Sequence, residues 1–336
     1  MIKEAINLVV SGINLSEPEM AECMQEIMEG RATEAQIGGL LSALRMKGET
    51  VEEITGAARI MRDKAARINA PEGVLDTCGT GGDTSHTFNI STTTALVVAA
   101  AGVPVAKHGN RAVSSRSGSA DVLEALGIKI DLEPAKVEKC LFETGFGFMF
   151  APLFHPAMKY AVGPRRELGI RTVFNILGPL TNPAGARRQI LGVFSSRLTG
   201  TLAQVLGNLG AVDALVVHGE DGLDEITIST GTKASRFSEG KVESMYISPE
   251  DFGLQRGTLQ DLIGGDKDEN ARLTVRILQG EKGPKRDVVL MNAAAAIMIA
   301  GMTQDLRIAF ETAREAIDSG AALKKLEEIR KVSNSL

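Results

Sequence analysis

The sequence predicts an α/β protein: a small all-helical domain first, then a larger α/β domain with a mostly parallel sheet flanked by helices. Two patterns in the 336 residues carry this. Ser16-x-x-Glu19, Thr33-x-x-Gln36 and Thr50-x-x-Glu53 are helix-start signatures in quick succession, each pairing a hydroxyl that accepts a backbone N–H with a Glu or Gln that reaches back. From about residue 73 short apolar runs alternate with helical periodicity, as expected when parallel strands are joined by helical crossovers.

Taken in order, Ile2, Ile6, Val9 and Ile13 recur at helical spacing. The three capping boxes then lead into the stripes Met24-Ile27-Met28, Ile37-Leu40-Leu41-Leu44 and Ile54-Ala57-Ala58-Met61, with Gly30 and Gly48 placed to stop helices. Residues 1–69 form the helical domain and hold no cluster of catalytic residue types. So small a unit cannot bury all these stripes, so one face is expected to pair with a second copy in a homodimer.

The α/β domain spans 70–336. Strands are expected at Val74-Leu75, Val103–Ala106, Ile128–Ile130, Leu191–Phe194 and Ala214–His218, and helices at Ala120–Leu126, Pro156 to about Thr172, and Leu198–Leu209. Residues 219–270 read as polar and irregular, with Gly264–Asn270 a solvated loop before the next helix. Met291–Ile299 reads as a buried core helix and Lys324–Glu328 as an amphipathic end.

Hydrophobic residues make up 43% and charged residues 24%, with a net charge of -5. That balance suits a globular protein and disfavours partners that need a basic face, nucleic acid or an anionic membrane. Three scattered cysteines, Cys23, Cys78 and Cys140, point to a reducing compartment rather than a disulfide framework. The start shows no signal-peptide pattern, and the longest apolar run, Ala95–Ala106, contains Gly and Pro and is too short to span a bilayer. A soluble, cytoplasmic protein is expected.

Chemistry concentrates between Asp76 and Gly127. Gly79-Thr80-Gly81-Gly82-Asp83 follows a strand, Asn89–Thr94 opens an apolar helix, and Lys107-His108-Gly109-Asn110-Arg111 follows the next strand. A glycine turn is usually only a turn, and Ser and Thr before a helix usually only cap it. Three such loops at strand-to-helix junctions share one edge of the sheet, where glycine backbone and helix N-termini can grip a polyanion. The adjacent Asp224-Glu225 could be a solvated charge pair or hard-cation ligands. His86, His155 and His218 have no metal-site spacing, and no nucleophilic triad, P-loop, zinc pattern or dinucleotide fingerprint is present.

GTGGD, NIST, KHGNR and GSADVLEALG, in that order and spacing, together with Arg165–Thr172, Phe174–Pro183 and Asp224-Glu225, resemble the signature of the anthranilate phosphoribosyltransferase family, and the resemblance runs along nearly the whole chain. It implies transfer of a phosphoribosyl group from phosphoribosyl pyrophosphate (PRPP) to the amine of anthranilate, in tryptophan biosynthesis, with Mg2+. It implies PRPP contacts at Gly79, Gly82, Asp83, Thr87, Asn89, Ile90, Ser91, Thr92, Lys107, His108, Gly109, Asn110, Arg111, Ala112, Val113, Ser114, Ser115 and Ser119. It places anthranilate at Gly79, Asn110 and Arg165, and magnesium at Ser91, Asp224 and Glu225. Part of 165–185 is expected to return to the helical domain as a hinge. An aromatic amine is neutral at physiological pH, so no strong general base is required; His108, the one candidate for a catalytic group, reads first as a wall of the acceptor site. Two alternatives are a pyrimidine nucleoside phosphorylase, typically longer and without need of the acidic pair, and a nucleic-acid-binding relative, which the charge of -5 disfavours.

Overall fold

The computed structural model describes residues 1–83, 85–112 and 116–336. Its first helices are α1 (Ile2–Val10), α2 (Glu17–Met28), α3 (Glu34–Lys47) and α4 (Val51–Lys64). All three capping boxes form, with Ser16, Thr33 and Thr50 accepting from the backbone N–H of Glu19, Gln36 and Glu53. Glu53 does more than cap. It is fully buried, and its carboxylate accepts from the Leu15 N–H at 2.9 Å and from the Lys47 ammonium at 2.9 Å. Gly56 lets α4 cross α2 closely, because a Cβ there would lie 3.1 Å from the Ala21 nitrogen and closer still to the Glu17 carbonyl oxygen.

The rest of the chain runs β1 (Leu75–Gly79), α5 (Ile90–Ala100), β2 (Val105–Gly109), α6 (Ser119–Ala125), α7 (Pro134–Thr144), β3 (Phe146–Phe150), α8 (Ala151–Phe154), α9 (Lys159–Leu168), α10 (Phe174–Leu177), β4 (Arg188–Gly192), α11 (Leu198–Asn208), β5 (Asp213–Gly219), β6 (Thr232–Ser238) and β7 (Lys241–Ile247). Four helices follow: α12 (Lys267–Leu278), α13 (Pro284–Ile299), α14 (Leu306–Asp318) and α15 (Ala321–Ser335). The strands form a 7-stranded sheet in the order β3-β2-β1-β4-β5-β6-β7. The first five are parallel, and β6 and β7 add an antiparallel edge. The chain leaves β1 toward β2 and β3, then returns to the other side at β4. That reversal puts the crevice expected for a ligand at the carboxyl ends of β1 and β4, which stay in register from Leu75↔Arg188 to Gly79↔Gly192.

One sheet face packs on α5 and α13 in a cluster that includes Leu96, Val98, Leu290 and Ile297. The other shares a cluster with the N-terminal helices and α11, joining Met24, Leu44, Leu191, Leu202 and Val216. Into that second cluster also come Ala161, Phe174, Ile176, Leu177 and Leu180, and α9 packs against α2 and α3. Arg62 of α4 ties the two parts, donating to the carbonyls of Leu180 at 2.7 Å and Leu209 at 2.9 Å.

Three local expectations need correction. Ile128–Ile130 is not a strand; both isoleucines are buried, but the segment lies against α15, with the Lys129 N–H donating to the Ser333 hydroxyl at 3.2 Å. Residues 219–270 are not irregular throughout, because β6 and β7 pair across seven registered positions from Thr232↔Ile247 to Ser238↔Lys241. Gly264–Asn270 is not simply a solvated loop either. Asp266 caps α12, and Asn270 is buried, accepting from the Gly265 N–H and donating to Asn89. Strand β3, the run Phe146–Phe150, starts after Gly145, whose left-handed backbone (φ 73) ends α7.

Candidate active site

The cleft is shaped by glycines at strand ends. The loop after β5 crosses the ends of β1 and β4 and carries Asp224 and Glu225 over them. A Cβ on Gly79 would sit 2.6 Å from Asp224 Oδ2, and one on Gly192 would sit 2.5 Å from the Asp224 carbonyl carbon and closer still to its oxygen. No other residue lets the acidic loop lie so close to the sheet edge. The Gly81 N–H donates to Asp224 Oδ2 at 2.8 Å, so the glycine turn and the acidic loop are directly bonded. Gly82, with φ 78, has its carbonyl held by the Arg171 guanidinium at 2.5 Å. Asp83 turns the chain with its Oδ1 accepting the Ser85 N–H at 3.2 Å. Thr87 forms an isolated bridge with Ile263.

Helix α5 begins at Ile90 beneath this loop. The Ser91 N–H donates to Glu225 Oε1 at 3.0 Å, so a carboxylate occupies the positive end of the helix. Asn89 does not cap α5 through its side chain; its Nδ2 donates to the Ser117 carbonyl at 3.2 Å and its Oδ1 accepts from Asn270. Thr92 is buried, and its hydroxyl has no partner among the described residues.

Lys107 on β2 is 1% exposed. Its ammonium donates to the Thr77 carbonyl and, at 3.3 Å, to the Ser91 hydroxyl. Burial pushes its pKa down, while Asp76, Cys78 and Glu225 pull the other way. The amine nitrogen sits under the start of α5, within reach of the Ser91 hydroxyl. Asp76 beside it is fully buried and pushed up to about 6 by that burial.

His108 packs against His155, ring centroids 4.9 Å apart and tilted by 51°. Burial pushes His108 down to about 3, with His155 adding to the effect, and pushes His155 down to about 4. Both imidazoles are therefore neutral at physiological pH, and neither Nε2 has a partner among the described residues. Gly109 is tight, since a Cβ there would meet Phe148 at 2.9 Å and the Ser119 hydroxyl closer still. The Asn110 carbonyl accepts from the Ser119 hydroxyl at 3.4 Å. Arg111 is exposed, and its guanidinium is engaged by Asp121 at 2.9 Å and Glu124 at 2.8 Å. The Ala112 N–H donates to Asp121 at 2.9 Å. Val113, Ser114 and Ser115 lie outside the described residues.

Arg165 lies in the last turn of α9. It stands over the Phe174 ring at 5.1 Å, half-buried, and burial lowers its pKa. Among the described residues no carboxylate pairs with it.

Glu225 is buried and Asp224 half-buried. Burial raises both carboxyls above the ordinary range; Asp83 adds to the effect on Asp224, and Asp224 to that on Glu225. Crowded acidic oxygens of this kind fit a hard divalent cation. Among the described residues no three His, Cys, Asp or Glu side chains could hold a metal by themselves. The donor set fits Mg2+, which is usually held by one or two carboxylates plus substrate phosphate oxygens.

Gly192, Arg171 and Asn270 help build the cleft and were not singled out from the sequence. Gly192 ends an apolar strand, and a glycine at that end was the signal available. The other two act through contacts remote in sequence.

Two family models match: the glycosyl transferase family helical bundle domain over residues 3–65 and its a/b domain over residues 71–323. The anthranilate phosphoribosyltransferase of Acetivibrio thermocellus is 55% identical over 100% of this chain and 97% of its own length. That of Moorella thermoacetica is 57% identical over 97% of each. The crystal structure of the Thermus thermophilus enzyme superposes with a TM-score of 0.93 at 45% identity, covering 98% of this chain and 99% of that one. The Saccharomyces cerevisiae enzyme in complex with PRPP and Mg superposes with a TM-score of 0.90 at 28% identity, covering 100% of this chain and 98% of that one. With both domains matched and relatives of this identity along its whole length, the chain belongs to the anthranilate phosphoribosyltransferase family of glycosyl transferases.

Proposed function

We propose that PRPP lies across the carboxyl ends of β1, β2 and β4, and that anthranilate enters from the side of the helical domain. The reaction is that of the family: the phosphoribosyl group passes to the anthranilate amine and pyrophosphate leaves, a step of tryptophan biosynthesis. The observation that carries the placement is the acidic pair bonded to both the glycine turn and the N-terminus of α5.

Around the Gly81 and Ser91 N–H groups that hold the acidic pair, the glycine turn Gly79–Asp83 and the start of α5, Ile90–Thr92, form the cradle for phosphate oxygens. Thr87 and Asn89 border that cradle. Gly109, Asn110 and Ser119 close it from the end of β2, with Val113, Ser114 and Ser115 assigned to the same PRPP contacts. Lys107 balances negative charge from below rather than through an open contact. Arg111 and Ala112 border the cradle, with the Arg111 guanidinium held by Asp121 and Glu124 and the Ala112 N–H by Asp121.

Asp224, Glu225 and Ser91 would hold magnesium; the Saccharomyces cerevisiae complex with PRPP and Mg supports this choice of ion. When bound, magnesium neutralises the leaving pyrophosphate. Arg165 presents two parallel N–H groups to the anthranilate carboxylate, and Asn110 and Gly79 line the same pocket. Neutral His108 walls it without acting as a strong base. Asp224→Asn combined with Glu225→Gln should abolish turnover and leave the fold intact. Activity near wild type at saturating magnesium would refute the metal assignment.

The chain is a homodimer through its helical domain. Val10, Ile13 and Met46, at 70%, 51% and 89% exposed, leave apolar surface on and beside α1 and α3. Sedimentation should give twice the 35.6 kDa chain mass; a strict monomer at micromolar concentration would refute it. Three free thiols fit residence in the reducing cytoplasm.

A further inference from the structure

Two side chains that no step above uses grip the chain on either side of the acidic pair. Ahead of it, Asp221 Oδ1 accepts the Leu223 N–H at 3.2 Å, while Oδ2 accepts the Thr227 hydroxyl at 2.6 Å and the Ser229 hydroxyl. One carboxylate thus closes the loop across Asp224 and Glu225. Behind the pair, Asn292 reaches up from α13. Its Oδ1 accepts the Ile226 N–H at 3.1 Å, and its Nδ2 donates at 2.8 Å to both the Ile226 and Val288 carbonyls.

Asn292 is 2% exposed in a helix whose neighbouring residues are Val, Leu, Met and Ala. An amide buried there is unfavourable unless its polar atoms are paired. Here both ends of the amide are used on Ile226, the residue that follows Glu225, taking its N–H and its carbonyl, with Nδ2 also bonded to the Val288 carbonyl of the same helix. A small cavity of about 10 Å³ beside Glu225 is lined by Asn292, Thr77, Ser91 and Thr94, and the hydrogen-bonded grip on the backbone adds to the packing in holding the loop.

We propose that Asp221 and Asn292 are positioning residues: without touching the cation, they hold the segment 221–226 so that Asp224 and Glu225 present their oxygens to it together. This rests on the reading of the acidic pair as metal ligands. The test is titration of Mn2+, a spectroscopically visible probe, into the full-length protein with PRPP and no anthranilate, followed by electron paramagnetic resonance. Asp221→Ala and Asn292→Ala should each weaken Mn2+ binding by about tenfold, the scale expected when one or two buried hydrogen bonds are lost. The magnesium concentration for half-maximal velocity should rise by the same factor, with the anthranilate KM nearly unchanged. Asp221→Asn, which keeps an acceptor for the Leu223 N–H, should recover part of the affinity. Variants that lose melting temperature yet bind Mn2+ like wild type would overturn the proposal, leaving the two residues a structural role only. Should Asn292→Ala fail to fold, Asp221→Ala decides alone, since that residue is only half-buried in its loop. The double variant Asp224→Asn, Glu225→Gln separates the two readings. If it binds Mn2+ like wild type, the ligand assignment itself fails; if it loses binding while the Asp221 and Asn292 variants keep it, only the clamp fails.

Discussion

Gly192→Ala should disable catalysis far more than it unfolds the protein. The added Cβ would sit 2.5 Å from the Asp224 carbonyl carbon, whereas carbon atoms make contact at about 3.5 Å. Something must therefore move by at least about 1 Å, and by more because the Asp224 carbonyl oxygen is closer still. Strand β4 is held on both sides, by β1 and by β5, over five registered positions each. The loop is the softer element, and it carries both proposed metal ligands. A displacement of about 1 Å at reacting groups costs about a hundredfold in rate, while overpacking of this kind costs about 1–3 kcal/mol of stability. Gly79→Ala is a milder case, because its Cβ would meet the Asp224 carboxylate, at 2.6 Å, rather than backbone. The assay is loss of anthranilate fluorescence over a range of magnesium concentrations, alongside thermal melting by circular dichroism. Gly38→Ala serves as a control, since nothing lies within 4 Å of a Cβ there, and an alanine inside a helix should raise stability by up to about 1 kcal/mol. If Gly192→Ala kept kcat/KM within about threefold of wild type, the loop would not need the position seen here.

Arg165→Ala should raise the anthranilate KM by one to two decades, the equivalent of losing a charge-assisted bond of about 1.5–3 kcal/mol, with the PRPP KM nearly unchanged. A defect mainly in the PRPP KM would move Arg165 to the phosphate pocket. His155 is held neutral with its pKa depressed to about 4, so the stability it contributes is present above its unfolded pKa and lost as pH falls toward the folded value. Between pH 7 and pH 5 that loss is about 2 kcal/mol. His155→Phe should therefore show a shallower acid limb in urea unfolding than wild type; parallel limbs would contradict the buried neutral state. Comparing the two proteins isolates this effect from Asp76, whose raised pKa has the opposite sign: its stabilising contribution is full below its unfolded value and lost as pH rises through about 6.

Much of this architecture was legible because local chemistry and global fold agree. The three capping boxes each mark a helix start, and all three form. Buried parallel strands such as β5, with Ala214–Val217 all buried, read as apolar runs. Strands β6 and β7 were not legible because they are rich in Lys, Ser, Arg and Glu, and β7 lies at the sheet edge. Ile128 and Ile130 misled for the opposite reason: their β-branched side chains are buried against α15 without pairing in the sheet. The loop motifs do gather at the ends of β1 and β2 and the start of α5, yet a sequence cannot show that Lys107 points under α5 or that Arg111 is held by Asp121 and Glu124. Nor could it single out Asp221 or Asn292, whose importance lies in which backbone groups they reach after folding.

The most direct test of the central claim is anthranilate fluorescence on adding PRPP and magnesium to the purified protein, with pyrophosphate measured alongside. Fluorescence should fall only when all components are present, with one pyrophosphate released per anthranilate consumed, and chelating the magnesium should stop it. Unchanged anthranilate under these conditions, with phosphorolysis of thymidine or uridine in its place, would contradict the account.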